Sequence, residues 1–160
     1  MSPQPNAYQN ALAQNVVVFN GATYRRKPRI YSTQIVRSAT AGASFQGTIV
    51  LDPGLPFMLN AIKADDTADP NGAGATTGLE DWSVQVQDNE SQYLWSNTAI
   101  GRIAMFGGRE FGYQLPFEVL LRAQTLITIT ITNRAAGPTA GTASICFVGF
   151  SLLPLSSNAM

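Results

Sequence analysis

Histidine is missing altogether from the 160 residues, cysteine occurs once, and charged side chains make up 12%. Each shortage excludes something. Without histidine the chain has lost the commonest general base near neutral pH and the commonest metal ligand. One cysteine cannot build an internal disulfide framework. That residue, Cys146, lies in the apolar run SICFVGF, where a small buried hydrophobe is expected; a reactive thiol needs basic or helix-terminal surroundings. Typical soluble domains carry roughly 25% charged residues, so here Ser, Thr, Asn, Gln, Gly and Ala must cover much of the exterior. Such a surface suits lasting contact with other protein. No apolar run approaches the ~20 residues that cross a bilayer. The opening MSPQPNAYQN lacks the charged head and apolar middle of a secretory leader. The expectation is a protein with no membrane span, made in a cytoplasm and using no cofactor.

What is present is unevenly placed. Residues 1–51 hold Arg25, Arg26, Lys27, Arg29 and Arg37 and no acid, a charge of +5; residues 52–160 hold five bases and ten acids, a charge of −5. The zero total therefore hides a basic first third joined to an acidic body, a layout that bears on association and not on fold.

Alternation with period two recurs along the chain. WSVQVQ sets Trp82, Val84 and Val86 against Ser83, Gln85 and Gln87; LITITITN sets Ile127, Ile129 and Ile131 against Thr128, Thr130 and Thr132. FEVLLRA aligns Phe117, Val119 and Leu121, and SFQGTIVL aligns Phe45, Ile49 and Leu51 around Gly47. Half-buried antiparallel strands read this way, and β-branched residues suit them. Strands are predicted near 16–19, 30–36, 44–51, 57–62, 82–87, 92–95, 102–106, 113–122, 124–132 and 143–152. LDPGLP fits a type II turn with Gly54 at the positive-φ position. NRAAGPTAG is expected to close a long hairpin between residues 124 and 151. The fold class is all-β: an antiparallel two-sheet sandwich, jelly-roll-like, over residues 30–160. Residues 1–29, polar and proline-punctuated apart from VVVF, read as an extended N-terminal arm, with room for a short helix over 6–14.

Candidate chemistry mostly fails. In the stretch of residues 64–81, Asp65, Asp66, Asp69, Asn71 and Gly72 superficially match a calcium loop. That motif wants acids at alternate positions and a glutamate six places after the glycine, where Thr67 and Gly78 stand. A solvated loop with scattered carboxylates is the better account, and no metal is assigned. GGREF, residues 107–111, reads as a glycine-rich turn. Glu80 and Asp81 are adjacent, so on a strand they would face opposite ways. There is no nucleophile-elbow serine, phosphate loop or Cys-x-x-Cys pair, and without histidine a metal-dependent cupin is disfavoured. No catalytic residue is assigned, and the chain is expected not to be an enzyme.

The remaining signal is TYRRKPRIY. Tyr24, Arg25, Arg26, Lys27, Arg29 and Tyr31 form the candidate partner-binding set, since arginine forks onto carboxylates and the tyrosines add contact area and cation–π faces. Its plain alternative is a solvated linker. An acidic protein surface is the favoured partner. Nucleic acid is disfavoured, because the −5 body would repel a polyanion and no stacking platform is evident.

From about residue 80 to 155 the pattern resembles a known family. The ending TLITITITNRAAGPTAGTASICFVGFSLLP, and within its approach the run QLPFEVLLRAQTLITITITN, are similar to the small accessory proteins of tailed-bacteriophage virions, above all the capsid decoration, or cement, proteins of the jelly-roll type. The resemblance implies a virion structural protein on the capsid surface, bound to the outside of the major capsid protein shell, and a homo-oligomer, dimer or trimer. Phage tail, collar or neck proteins share the architecture. A carbohydrate-binding sandwich using Trp82, Tyr93 and Trp95 is the rival from another class, although Trp82 alternates with Val84 and Val86 as core residues do.

Overall fold

The computed structural model describes residues 15–67, 82–90, 93–95, 98–106, 113–134 and 140–155. The expected helix over 6–14, most of the 64–81 loop and the GGREF turn lie outside the described residues. The alternating segments form ten strands: β1 (Val16–Phe19), β2 (Ala22–Arg37), β3 (Ser44–Val50), β4 (Phe57–Asp66), β5 (Trp82–Asp88), β6 (Tyr93–Leu94), β7 (Ile100–Gly101), β8 (Tyr113–Leu121), β9 (Leu126–Asn133) and β10 (Gly141–Pro154). They make two antiparallel sheets, one in the order β1-β2-β10-β4-β8 and the other β3-β9-β5-β6, with β7 also paired to β5.

The sheets pack face to face because each presents one apolar side. Ile35, Phe57, Leu59, Ile62, Ile145 and Phe147 from the first meet Ile49, Val84, Val86, Ile127, Ile129 and Ile131 from the second, all buried. Fully burying one such side chain is worth about 1.5–3 kcal/mol, so this layer dominates the stability of the sandwich. The outer face of the second sheet is polar. Ser44 and Thr132 share a hydroxyl hydrogen bond of 2.8 Å, Gln46 donates to Thr130 at 3.2 Å, and Asn89 donates to Thr128 at 2.8 Å. Side chains facing one another across strands and bonded this way reinforce the ladder from the solvent side.

Four expectations change. The long hairpin does not form: β9 and β10 follow one another but lie in different sheets. Each takes its edge partners from elsewhere in the chain, β9 from β3 and β5 and β10 from β2 and β4, so their apolar faces meet across the sandwich. Residues 102–106 are not a strand but a short helix, α1 (Arg102–Phe106), entered as soon as β7 ends. It buries two successive side chains, Met105 and Phe106, with Phe106 against Trp82 at 6.2 Å between ring centroids; a strand would have sent them to opposite faces. In β8 the face expected of Phe117, Val119 and Leu121 holds at Val119, half-buried against the core, and at Leu121, and fails at Phe117. The pair Leu59↔Val119 is followed by Ala61↔Gln114, so the residues around Pro116 leave the ladder and Phe117 is 72% exposed. Proline inside a strand is tolerated at just such a bulge on an edge.

The fourth change concerns the arm. A boundary at residue 29 would fall in the middle of β2. The first sheet begins at Val16, and β10 pairs with β2 without interruption from Gly141↔Arg37 to Pro154↔Tyr24. Residues 22–29 have little apolar side chain of their own, but ladder bonds join backbones whatever the side chains are, and the β10 end GFSLLP supplies the partner. A two-residue turn, Asn20 (φ 49°) and Gly21 (φ 76°), then folds β1 back onto β2. Both central residues at positive φ mark the primed hairpin turn for which Asn-Gly is the strongest short-range signal. The LDPGLP turn behaves as its residues predict, with Gly54 at φ 80°.

Candidate partner-binding surface

β2 is sixteen residues long and β3 only seven, and that mismatch makes the site. Over its C-terminal half β2 alternates cleanly: Tyr31, Ile35 and Arg37 are buried and Ile30, Ser32, Gln34 and Val36 are exposed. By the same alternation Arg25, Lys27 and Arg29 stand on the inner side, yet all three are exposed. The second sheet no longer covers them. β3 ends at Val50, and the loop after it is pinned at Tyr31, whose hydroxyl accepts a hydrogen bond from the Asp52 N–H at 3.2 Å. The overhang forms a ledge. Val16 and Val18 join it through the pairs Val16↔Arg25 and Val18↔Thr23, and both are exposed, Val18 to 67%. Leu153, opposite Arg25, and Leu155, whose N–H donates to the Thr23 carbonyl at 2.9 Å, complete the floor.

The six residues singled out from the sequence divide into three kinds. Tyr31 is not a contact residue: it is 8% exposed and packs edge-on against Phe57, ring centroids 5.0 Å apart at 87°. Alternation puts it on the covered part of β2, which no local feature of TYRRKPRIY reveals. Two of the four bases are engaged within the chain. Arg26, on the outer face, lies over the Phe150 ring at 5.5 Å and pairs with Glu118 at 3.2 Å. Arg29 pairs with Asp52 at 2.7 Å and lies 5.3 Å from the Tyr31 ring centroid. Part-exposed pairs of this sort add little stability, but they hold both side chains down. Arg25 and Lys27 are exposed and make no ion pair among the described residues. Tyr24 is half-buried on the other, outer face of β2, opposite Val17 and Pro154. The free part of the basic cluster is thus Arg25 and Lys27 on a partly apolar ledge. Tyr31→Phe is expected to cost about 1 kcal/mol through the lost hydroxyl acceptor while leaving partner binding unchanged. Urea denaturation and a binding assay on the same variant check this.

A buried polar cluster lies where the sequence pattern gave only a charge and a loop. Arg37, counted only as a charge, and Asp66, assigned to the solvated loop, are 1% and 2% exposed and form an ion pair inside the sandwich. Arg37 also donates to Asn133 at 2.8 Å, and the Trp82 indole N–H donates to Asp66 at 2.7 Å. The Arg37 guanidinium lies 5.8 Å from the Trp82 ring centroid. Asn133 in turn donates to the carbonyls of Ser38 and Thr40. β2, β4, β5 and β9 are bolted together here at the end of the sandwich opposite the ledge. A sequence signal existed: Asp66 and Arg37 each continue the inward parity of an apolar strand.

Other candidates take structural roles. Trp95, the proposed sugar platform, stacks on Phe147 with centroids 5.4 Å apart and 21° between planes, and Trp82 is 1% exposed. An open pocket of about 440 Å³ beside Trp95 is lined by Leu115, Phe117, Val119 and Leu121, with Asp88 at its rim. Cys146 is half-buried on the outer side of β10 and so is not in the interior. Burial raises its thiol pKa, nearby Lys63 opposes the rise and Asp65 adds to it, so the reactive thiolate is suppressed. No helix among the described residues is long and apolar enough to cross a membrane. Scanned against protein-family models the chain has no match, and no curated protein or solved structure matches it either.

Proposed function

We propose that this is a non-catalytic virion structural protein, a capsid decoration protein that docks on the outside of a major capsid shell through the ledge carrying Arg25 and Lys27. The observation that carries the reading is the pair of uncompensated bases on a β-sandwich whose surface is otherwise poor in charge. A ledge of this kind complements acidic protein, which gives register and association rate, and the charge-poor surface around it costs little to desolvate. The strand order supports the class. β2-β10-β4-β8 faces β3-β9-β5-β6, with β2, β3, β4 and β5 falling in alternate sheets and β8, β9 and β10 doing so again. We read that winding as a jelly roll, an architecture found among viral capsid, lectin and cupin domains. Fold alone does not select among these; the charge layout and the resemblance of residues 80–155 do.

The test is co-sedimentation with shells lacking the protein. The wild type is expected to pellet with the particles in hundreds of copies, as a decoration protein does and a tail or neck protein does not. Its binding should weaken as salt shortens the Debye length toward about 3 Å near 1 M. Arg25→Glu with Lys27→Glu should lower affinity about tenfold, in line with the loss of complementary rim charge. Wild-type protein left in the supernatant at low salt would reject the capsid role.

A further inference from the structure

Among the described residues the ledge ends in an unpaired sheet edge. β1 terminates the first sheet, and among the described residues only β2 pairs with it. Its sequence, VVVF, contains none of the charges, prolines or bulges with which proteins blunt an exposed edge. The hairpin register fixes which backbone groups are free. A two-residue turn makes Phe19↔Ala22 a hydrogen-bonded pair, so Val17↔Tyr24 is the next one. The bond from the Arg26 N–H to the Asn15 carbonyl, 2.7 Å, continues the series. The N–H and C=O groups of Val16 and Val18 therefore point away from β2, toward the open edge.

We propose that β1 accepts an extended strand from an acidic partner polypeptide, which adds to the first sheet antiparallel or parallel to Val16–Phe19 and is selected by Arg25 and Lys27. Strand addition of this kind takes its affinity from main-chain hydrogen bonds and its specificity from flanking side chains. The occupant follows from charge. A strand added outside β1 lies two inter-strand spacings from β2, about 10 Å. Extended arginine and glutamate side chains meeting over Val16 span that distance. A second copy of this chain is the poorer occupant, because pairing β1 with β1 would bring two sets of Arg25 and Lys27 to the same edge. The inference rests on the reading of the ledge as the docking surface but not on the partner being a capsid.

The probe is a short acetylated and amidated peptide of alternating Val and Thr with two Glu, compared with a twin carrying Lys in place of Glu and a twin N-methylated on alternate backbone nitrogens. The acidic peptide is expected to bind and to slow amide exchange at Val16 and Val18, read by NMR. The Lys twin should not bind. Val18→Pro, which removes an outward N–H and none of the bonds to Tyr24 or Ala22, should weaken binding at least tenfold; so should N-methylation, which leaves the protein untouched. Equal binding of the methylated or Lys twin, no binding of the acidic peptide, or a dimer that protects Val16 and Val18 without peptide would each overturn strand addition. Peptide binding as expected with no co-sedimentation removes the capsid reading alone. Shell binding indifferent to Val18→Pro keeps that reading and rejects this one.

Discussion

Asp66→Ala is expected to remove about 3–5 kcal/mol of folding stability, the usual cost of stripping one partner from a buried ion pair. Domains of this size hold only about 5–15 kcal/mol in all, so the variant should sit near the edge of folding. The cost has three sources. Arg37, 1% exposed, keeps its charge without a counter-ion, the Trp82 N–H loses its acceptor, and the alanine leaves space where β4 meets β5. Arg37 Nε already lacks a hydrogen-bond partner, and the acceptor that remains, the Asn133 side-chain oxygen, is neutral. Replacing both ends with apolar residues of similar volume, Arg37→Met with Asp66→Leu, should recover most of the loss, since neither charge is then desolvated. Urea midpoints at constant slope report both changes. A double variant no more stable than Asp66→Ala would mean that the pair contributes more than the absence of an unpaired charge.

Gly149→Ala is the second large effect, expected at about 3 kcal/mol, the upper range for inserting a methyl into a packed core. The registers β10–β4 and β4–β8 both skip Asn60, which makes it a bulge residue in β4. There the two central backbones close on each other. A Cβ at position 149 would meet the Met58 carbonyl oxygen at 2.1 Å, the tip of the Phe57 ring at 2.9 Å and Leu59 Cα at 3.0 Å. A ring can turn aside, but the carbonyl and Cα belong to a strand held by neighbours on both sides, so the backbone itself must move. The check is thermal or urea unfolding of Gly149→Ala beside Val148→Ala, a truncation on the opposite, half-buried side of the same strand. A loss no larger at Gly149 than at Val148 would show that the bulge yields freely.

The candidate site was legible only in outline. TYRRKPRIY showed a concentration of base, and the structure keeps two of its four charges uncompensated on the surface. Which two could not be read locally. Arg26 is taken by Glu118, ninety-two positions away, and Arg29 by Asp52 across the end of the sandwich. Tyr31 shares its sequence surroundings with Tyr24, yet one is core and the other is half-buried on the outer face. Seven positions apart, they fall on opposite sides of β2; within the inner set, Tyr31 is covered while Arg25 and Lys27 are not, because β3 stops at Val50. Asn20 and Gly21, which fold β1 onto β2, fell within the stretch read as an arm, because their neighbours carry the composition of a solvated segment. Backbone pairing with β10 overrode that composition.

The sequence by itself determined the alternating strands, most of their buried faces and the lopsided charge, because alternation, turn residues and net charge are properties of neighbouring residues. Only the tertiary structure decided that β9 and β10 part into different sheets, that Arg37 and Asp66 meet in the interior, and that β2 outruns its cover to leave a basic ledge beside an open edge. Those outcomes depend on contacts between residues dozens of positions apart, whose free energy exists only once the two sheets have closed on one another.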